Sequence, residues 1–128
     1  MRLLLDTHAL VWWLEESPRL SNRAREAITA DDSIIHVSVA TAWEIAIKVG
    51  LGKLPEASEI LASFEAAVAA EGFLLHSITV PHVRLAGAIV SPHRDPFDRL
   101  LAAQAVIDGM SLVSSDTKIA GLGAAVLW

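Results

Sequence analysis

A chain of 128 residues with 53% hydrophobic side chains has the length for one domain with a substantial core. The absence of cysteine excludes disulfides, thiolate zinc sites and a cysteine nucleophile. A net charge of −5 argues mildly against a protein that grips nucleic acid by bulk positive charge, but not against one whose acids gather around a cation.

In chain order, residues 2–5 form a short apolar run ending at Asp6 and predict a buried strand. A compact apolar helix is expected over 8–14, broken by Ser17-Pro18. Ser21 has the character of an N-cap for a second helix to about residue 30. A second strand follows over 33–37, after the Asp31-Asp32 turn. Ser38 opens a third helix over 39–49, closed by Gly50. One helix is predicted over 58–70, ended by Gly72, then a third strand over 73–78 and a short helix over 80–89. Asp95 is a good N-cap and Pro96 suits the first helical position, so the helix of 96–108 begins there and stops at Gly109. Strands over 110–114 and 125–128 complete the chain, with a short helical turn between them. Short apolar strands alternating with helices predict an α/β fold, a mostly parallel sheet covered on both faces.

In such a sheet, ligands collect outside the carboxyl ends of the strands. Asp6 follows the first strand and Asp116 the fourth. Glu44 lies in the second turn of the helix leaving strand two, and Asp98 in the first turn of the helix entered through Asp95. Right-handed connections let all four converge on one edge. For Asp6, Asp98 or Asp116 alone, capping a helix is a sufficient role. Glu44 is different, because between residues 39 and 47 every other side chain except Thr41 is apolar. A buried carboxylate there needs a partner, either a structural lysine or arginine or a functional site. Four converging carboxylates need a cation or raised pKa values, and an all-oxygen donor set favours Mg²⁺ or Mn²⁺ over zinc.

Arg94, Arg99 and Lys48 are candidates for phosphate contact, with ordinary solvation or ion pairing as the alternative. Trp43 is expected in the core, and Trp12 and Trp13 in the core or lining a groove. The histidines at 8, 36, 76, 82 and 93 show no HExxH spacing and are not expected to ligate metal; for His8 and His93, capping or packing is expected. Mean hydropathy is +0.47, yet no uncharged apolar run reaches the ~18 residues that span a bilayer. Asp6 also interrupts the N-terminal apolar stretch too early for a signal peptide. A cytoplasmic protein is therefore expected, its surplus apolar surface covered by a partner or second subunit.

Taken together, these segments resemble the PIN-domain ribonucleases, in particular the VapC-type toxins of bacterial toxin–antitoxin pairs. The likeness runs through Leu5-Asp6-Thr7-His8, Trp12-Trp13-Leu14, the stretch from Ser38 to Lys48, the stretch from His93 to Ala105, and Ser114-Ser115-Asp116. It implies a three-layer α/β/α sandwich and an Mg²⁺- or Mn²⁺-dependent endoribonuclease inhibited by a small VapB-like antitoxin, in a homodimer or larger assembly. By that analogy Asp6, Asp98 and Asp116 hold metal directly or through water. Glu44 positions the nucleophilic water or completes the shell, and Ser114 supports the site. Some members carry a further acid where this chain has Lys118, which leaves a second metal ion open. Two alternatives stand beside this: a PIN-like module that binds RNA or protein without cutting, and an aspartate-nucleophile phosphatase. The phosphatase pattern wants an aspartate two residues after Asp6, where this chain has His8.

Overall fold

The computed structural model describes residues 1–128. Strand β1 (Arg2–Leu5) is buried on both faces. Its alternation sends Leu3 and Leu5 into one core with Leu10, Val37, Ile45 and Phe64, and Leu4 into the other with Leu101, Leu112 and Ile119. Each of these fully buried leucines contributes about 1.5–3 kcal/mol by leaving water. Strands β2 (Ile34–Ser38), β3 (Leu74–His76), β4 (Ser111–Val113) and β5 (Val126–Leu127) join it in a five-stranded sheet of order β3-β2-β1-β4-β5. All four pairings are parallel, which explains the absence of a polar strand face.

Seven α-helices complete the sandwich: α1 (Thr7–Leu14), α2 (Asn22–Thr29), α3 (Val39–Gly50), α4 (Ser58–Ala62), α5 (Phe64–Ala70), α6 (Val80–Ala88) and α7 (Pro96–Asp108). Side chains of α1, α2 and α5 fill one core, and those of α7 the other. None of the helices is long and apolar enough to cross a membrane. From β1 the chain steps first to β2 and β3 on one side, then to β4 and β5 on the other. The reversal opens a crevice at the carboxyl ends of β1 and β4. Leu5 pairs with both Val37 and Val113, so the next residues, Asp6, Ser38 and Ser114, stand side by side at that edge.

Several expected boundaries move. The helix predicted over 58–70 breaks at Ser63, whose backbone leaves the helical region (φ −126°, ψ 35°). Its hydroxyl donates to the Glu59 carbonyl, an interaction that competes with the helical ladder. Helix α3 runs through Gly50 and reverses at Gly52, which takes φ +70° while the Lys53 amide bonds back to the Lys48 carbonyl. Strand β3 is only three residues long, because the Phe73 amide instead closes the turn after α5 by bonding the Val68 carbonyl.

A polar tether joins α6 to α7. The Thr79 amide donates to His82 Nδ1 at 2.9 Å, so the neutral ring carries its proton on Nε2 and donates it to Asp108 Oδ2 at 2.7 Å. His76 Nε2 reaches the same oxygen at 2.6 Å. Burial by itself raises the Asp108 carboxyl, but these histidine bonds outweigh it and hold the group below the usual carboxylate range.

Candidate active site

The four acids singled out in the sequence line one cleft at the carboxyl edge of the sheet, with Thr7, His8, Lys48, His93, Asp95 and Ser115. No apolar side chain lines it. Asp6 arrives from β1 and caps α1, accepting the Ala9 amide at 2.8 Å, and is only 6% exposed. Burial pushes its carboxyl up; the Ser114 hydroxyl and Ala9 amide partly offset this by favouring the charged form. Asp116 follows β4 and accepts the Lys118 amide at 2.9 Å, while its own amide donates to the buried Ser114 hydroxyl at 3.1 Å. Ser114 thus touches two of the acids.

Glu44 is 5% exposed on α3. Its Oε1 accepts the Thr7 hydroxyl at 2.6 Å, and Oε2 pairs with Lys48 Nζ at 2.5 Å, one helical turn on. The partner that a buried carboxylate requires is therefore a lysine, and the pair lies inside the cleft. Asp98 lies in the first turn of α7, which Asp95 caps by accepting the Phe97 and Asp98 amides. Burial, with the neighbouring Asp95 and Glu44 charges, pushes the Asp98 carboxyl up to about 6 against the opposing bond from His93. Five carboxylates face one ammonium group here, and repulsion of that kind selects for a bound cation.

Two expectations are corrected. Arg99 is not free for phosphate: its Nε donates to the His93 carbonyl at 2.9 Å, and its terminal nitrogens to the carbonyls of Ala86, Ile89 and Ser91. It clamps the loop before α7 and lies outside the acidic cleft. Trp43 is not core. It is 60% exposed and packs edge-to-face on Phe97 with centroids 5.2 Å apart, lining a groove with Val83, Arg94 and Leu100. Lys48 is engaged by Glu44, whereas Arg94 is exposed, makes no ion pair and lines the Trp43 groove rather than the acidic cleft. Trp12 and Trp13 pack on the core as expected.

Sequence reasoning gave Thr7 no role, and for His93 it favoured capping or packing over a place in the site. The expected helix began at His8, one residue after Thr7. Only the fold brings the Thr7 hydroxyl to Glu44, 37 residues away. His93 Nε2 lies 2.8 Å from Asp98 Oδ2, a contact signalled only by the five-residue spacing ahead of a capped helix.

Residues 3–124 match the PIN domain family, and the chain belongs to it. It is 31% identical over 118 residues to ribonuclease VapC22 of Mycobacterium tuberculosis, covering 91% of this chain and 88% of that one. Among solved structures, it resembles a chain of VapBC2 from Rickettsia felis bound to a promoter DNA fragment, with TM-score 0.72, 15% identity and coverage of 99% and 98%. It also resembles M. tuberculosis VapC20, a sarcin–ricin-loop-cleaving toxin, with TM-score 0.69, 11% identity and 96% coverage of each chain. At these low identities the structural likeness establishes the fold, a PIN-like five-stranded parallel sheet flanked by helices.

Proposed function

We propose that this protein is an Mg²⁺- or Mn²⁺-dependent endoribonuclease toxin that acts in the cytoplasm and is neutralised by a cognate VapB-like antitoxin. The observation that carries the reading is the convergence of Asp6, Glu44, Asp98 and Asp116 in one cleft with a single ammonium counter-charge. Oxygen donors in excess of nearby positive charge fit a hard divalent ion, and Asp6, Asp98 and Asp116 would hold it. Such an ion, when bound, supplies Lewis-acid stabilisation of phosphate charge and acidifies water.

The remaining chemistry falls to the chain. Glu44, fixed by Thr7 and Lys48, keeps a lone pair on each oxygen to orient the attacking water in line with the scissile bond. Ser114 and the Ala9 amide favour the charged form of Asp6 against the burial that pushes its carboxyl up. Arg94, exposed on the Trp43 groove, contacts the RNA backbone, and the Trp43–Phe97 pair offers rings on which a base can stack. The same apolar groove is a surface that an antitoxin or a second toxin subunit would cover.

The test is induction of the wild type and of Asp98→Asn in a bacterial host lacking the antitoxin, with growth followed and new RNA ends mapped. Growth arrest with discrete cuts, both absent in the variant, is expected. Arrest by both proteins would instead support a module that sequesters RNA or protein without cutting.

A further inference from the structure

Two clusters in this chain bring histidine and carboxylate ligand atoms within 4.8 Å of one another: His76, His82 and Asp108 between α6 and α7, and His93, Asp98 and Asp116 in the acidic cleft. The tautomer of one ring separates them. A histidine that ligates through Nε2 carries its proton on Nδ1 and donates it outward. His82 is barred from this, because the Thr79 amide already donates to its Nδ1. That cluster is a hydrogen-bonded tether.

His93 has no such lock. No protein group bonds its Nδ1, while its main chain is fixed at both ends: its amide donates to the Ser91 hydroxyl at 3.1 Å and its carbonyl receives Arg99 Nε at 2.9 Å. The backbone is thus pinned and the ring remains free to place its proton on Nδ1. Its Nε2 lies 2.8 Å from Asp98 Oδ2. Donors on adjacent vertices of an octahedron with bonds of about 2.1 Å lie roughly 3 Å apart, and opposite ones about 4.2 Å. The 2.8 Å separation of His93 Nε2 and Asp98 Oδ2 therefore suits adjacent ligands of one ion, with an Asp116 oxygen within 4.8 Å of both. Asp95, the other acid of this loop, already accepts two helix amides through one oxygen and has a structural role.

We propose that His93 is a ligand of the divalent ion, so that the site presents a mixed nitrogen and oxygen set and prefers Mn²⁺ to Mg²⁺. The inference rests on the metal-dependent reading above and deepens it. Magnesium is hard and takes oxygen, whereas an imidazole nitrogen moves preference toward the transition metals. The composition of the four acids alone suggested an all-oxygen site. The histidine alters that chemistry without removing any carboxylate.

The experiment is pulsed electron paramagnetic resonance of the full-length protein loaded with Mn²⁺, with Mn²⁺ and Mg²⁺ affinities measured by competition titration. Wild type, His93→Gln and His8→Gln are compared; His8 is the other histidine lining the cleft. Expected are ¹⁴N modulations of a coordinated imidazole in wild type and His8→Gln, their loss in His93→Gln, and a fall of about tenfold in the Mn²⁺-over-Mg²⁺ preference. Mn²⁺ bound to the wild type with no nitrogen modulation would overturn the proposal while leaving the nuclease reading intact, and this outcome does not depend on any variant folding. Nitrogen modulation unchanged in His93→Gln would also overturn it. A wild type that binds neither ion would overturn the metal-dependent reading and this inference together.

Discussion

The Thr7 hydroxyl donates to Glu44 Oε1 at 2.6 Å, tying the first turn of α1 to the second turn of α3 across the carboxyl edge of the sheet. This bond holds an almost fully buried carboxylate at a fixed angle, opposite the lysine that neutralises it. Thr7→Val preserves shape and removes only the donor. A buried acceptor left unmade costs about 1–3 kcal/mol, so chemical denaturation should show a loss of that size, with Thr7→Ser recovering most of it. A loss in Thr7→Ser with none in Thr7→Val would mean that packing of the threonine methyl, and not the bond, matters at this position.

Asp98 gives a pH-dependent prediction of determinate sign. Its carboxyl is raised from an ordinary 3.8 to about 6, with burial the largest cause, so the folded chain holds that proton more tightly than the unfolded chain. The stability it contributes is full below the unfolded value and is lost as pH rises through about 6. Asp98→Asn removes the charge that the fold resists. In a chelating buffer at pH 8 the variant should be more stable than wild type by about 1–2 kcal/mol, allowing for partial solvent screening. The gain should shrink toward pH 4. A gain of the same size at both pH values would assign it to something other than this titration.

The two arginines flanking the acids should separate cleanly. Arg99 donates to four carbonyls, and a lysine cannot reproduce that planar fork. Arg99→Lys is expected to cost about 2–3 kcal/mol and to expose the chain before α7 to proteolysis. Limited digestion with mapped cleavage sites checks it.

Arg94 makes no ion pair in the fold and is exposed, so Arg94→Ala should leave stability within about 0.5 kcal/mol. RNA affinity should fall uniformly across sequences, and the slope of log K against log salt should drop by about 1, as expected for loss of one phosphate contact. An unchanged slope would remove Arg94 from the RNA interface.

What was legible in the sequence was what local chemistry encodes. Asp6, Ser21, Ser38 and Asp95 each cap the helix that follows, and Gly109 closes α7 with φ +68°. These signals, with the uninterrupted apolar run of Leu3, Leu4 and Leu5 that marks a strand buried on both faces, were enough to place the four acids at one edge. Long-range chemistry was not legible. Nothing near Arg99 announces that its partners are carbonyls up to 13 residues upstream. Trp43 sits amid apolar neighbours, yet its helical phase turns it outward onto Phe97. Ser63 carries no stronger breaking signal than the serine five residues before it; the break shows itself only where Phe64 enters the core.

Metal-dependent cutting of RNA by the clustered acids is tested by incubating purified wild type and Asp98→Asn with total bacterial RNA under chelator, Mg²⁺ or Mn²⁺, with new ends mapped by sequencing. Discrete ends that need added ion and fall by at least about 100-fold in the variant are predicted. Cuts that persist under chelator, or at equal rate in Asp98→Asn, would contradict the account.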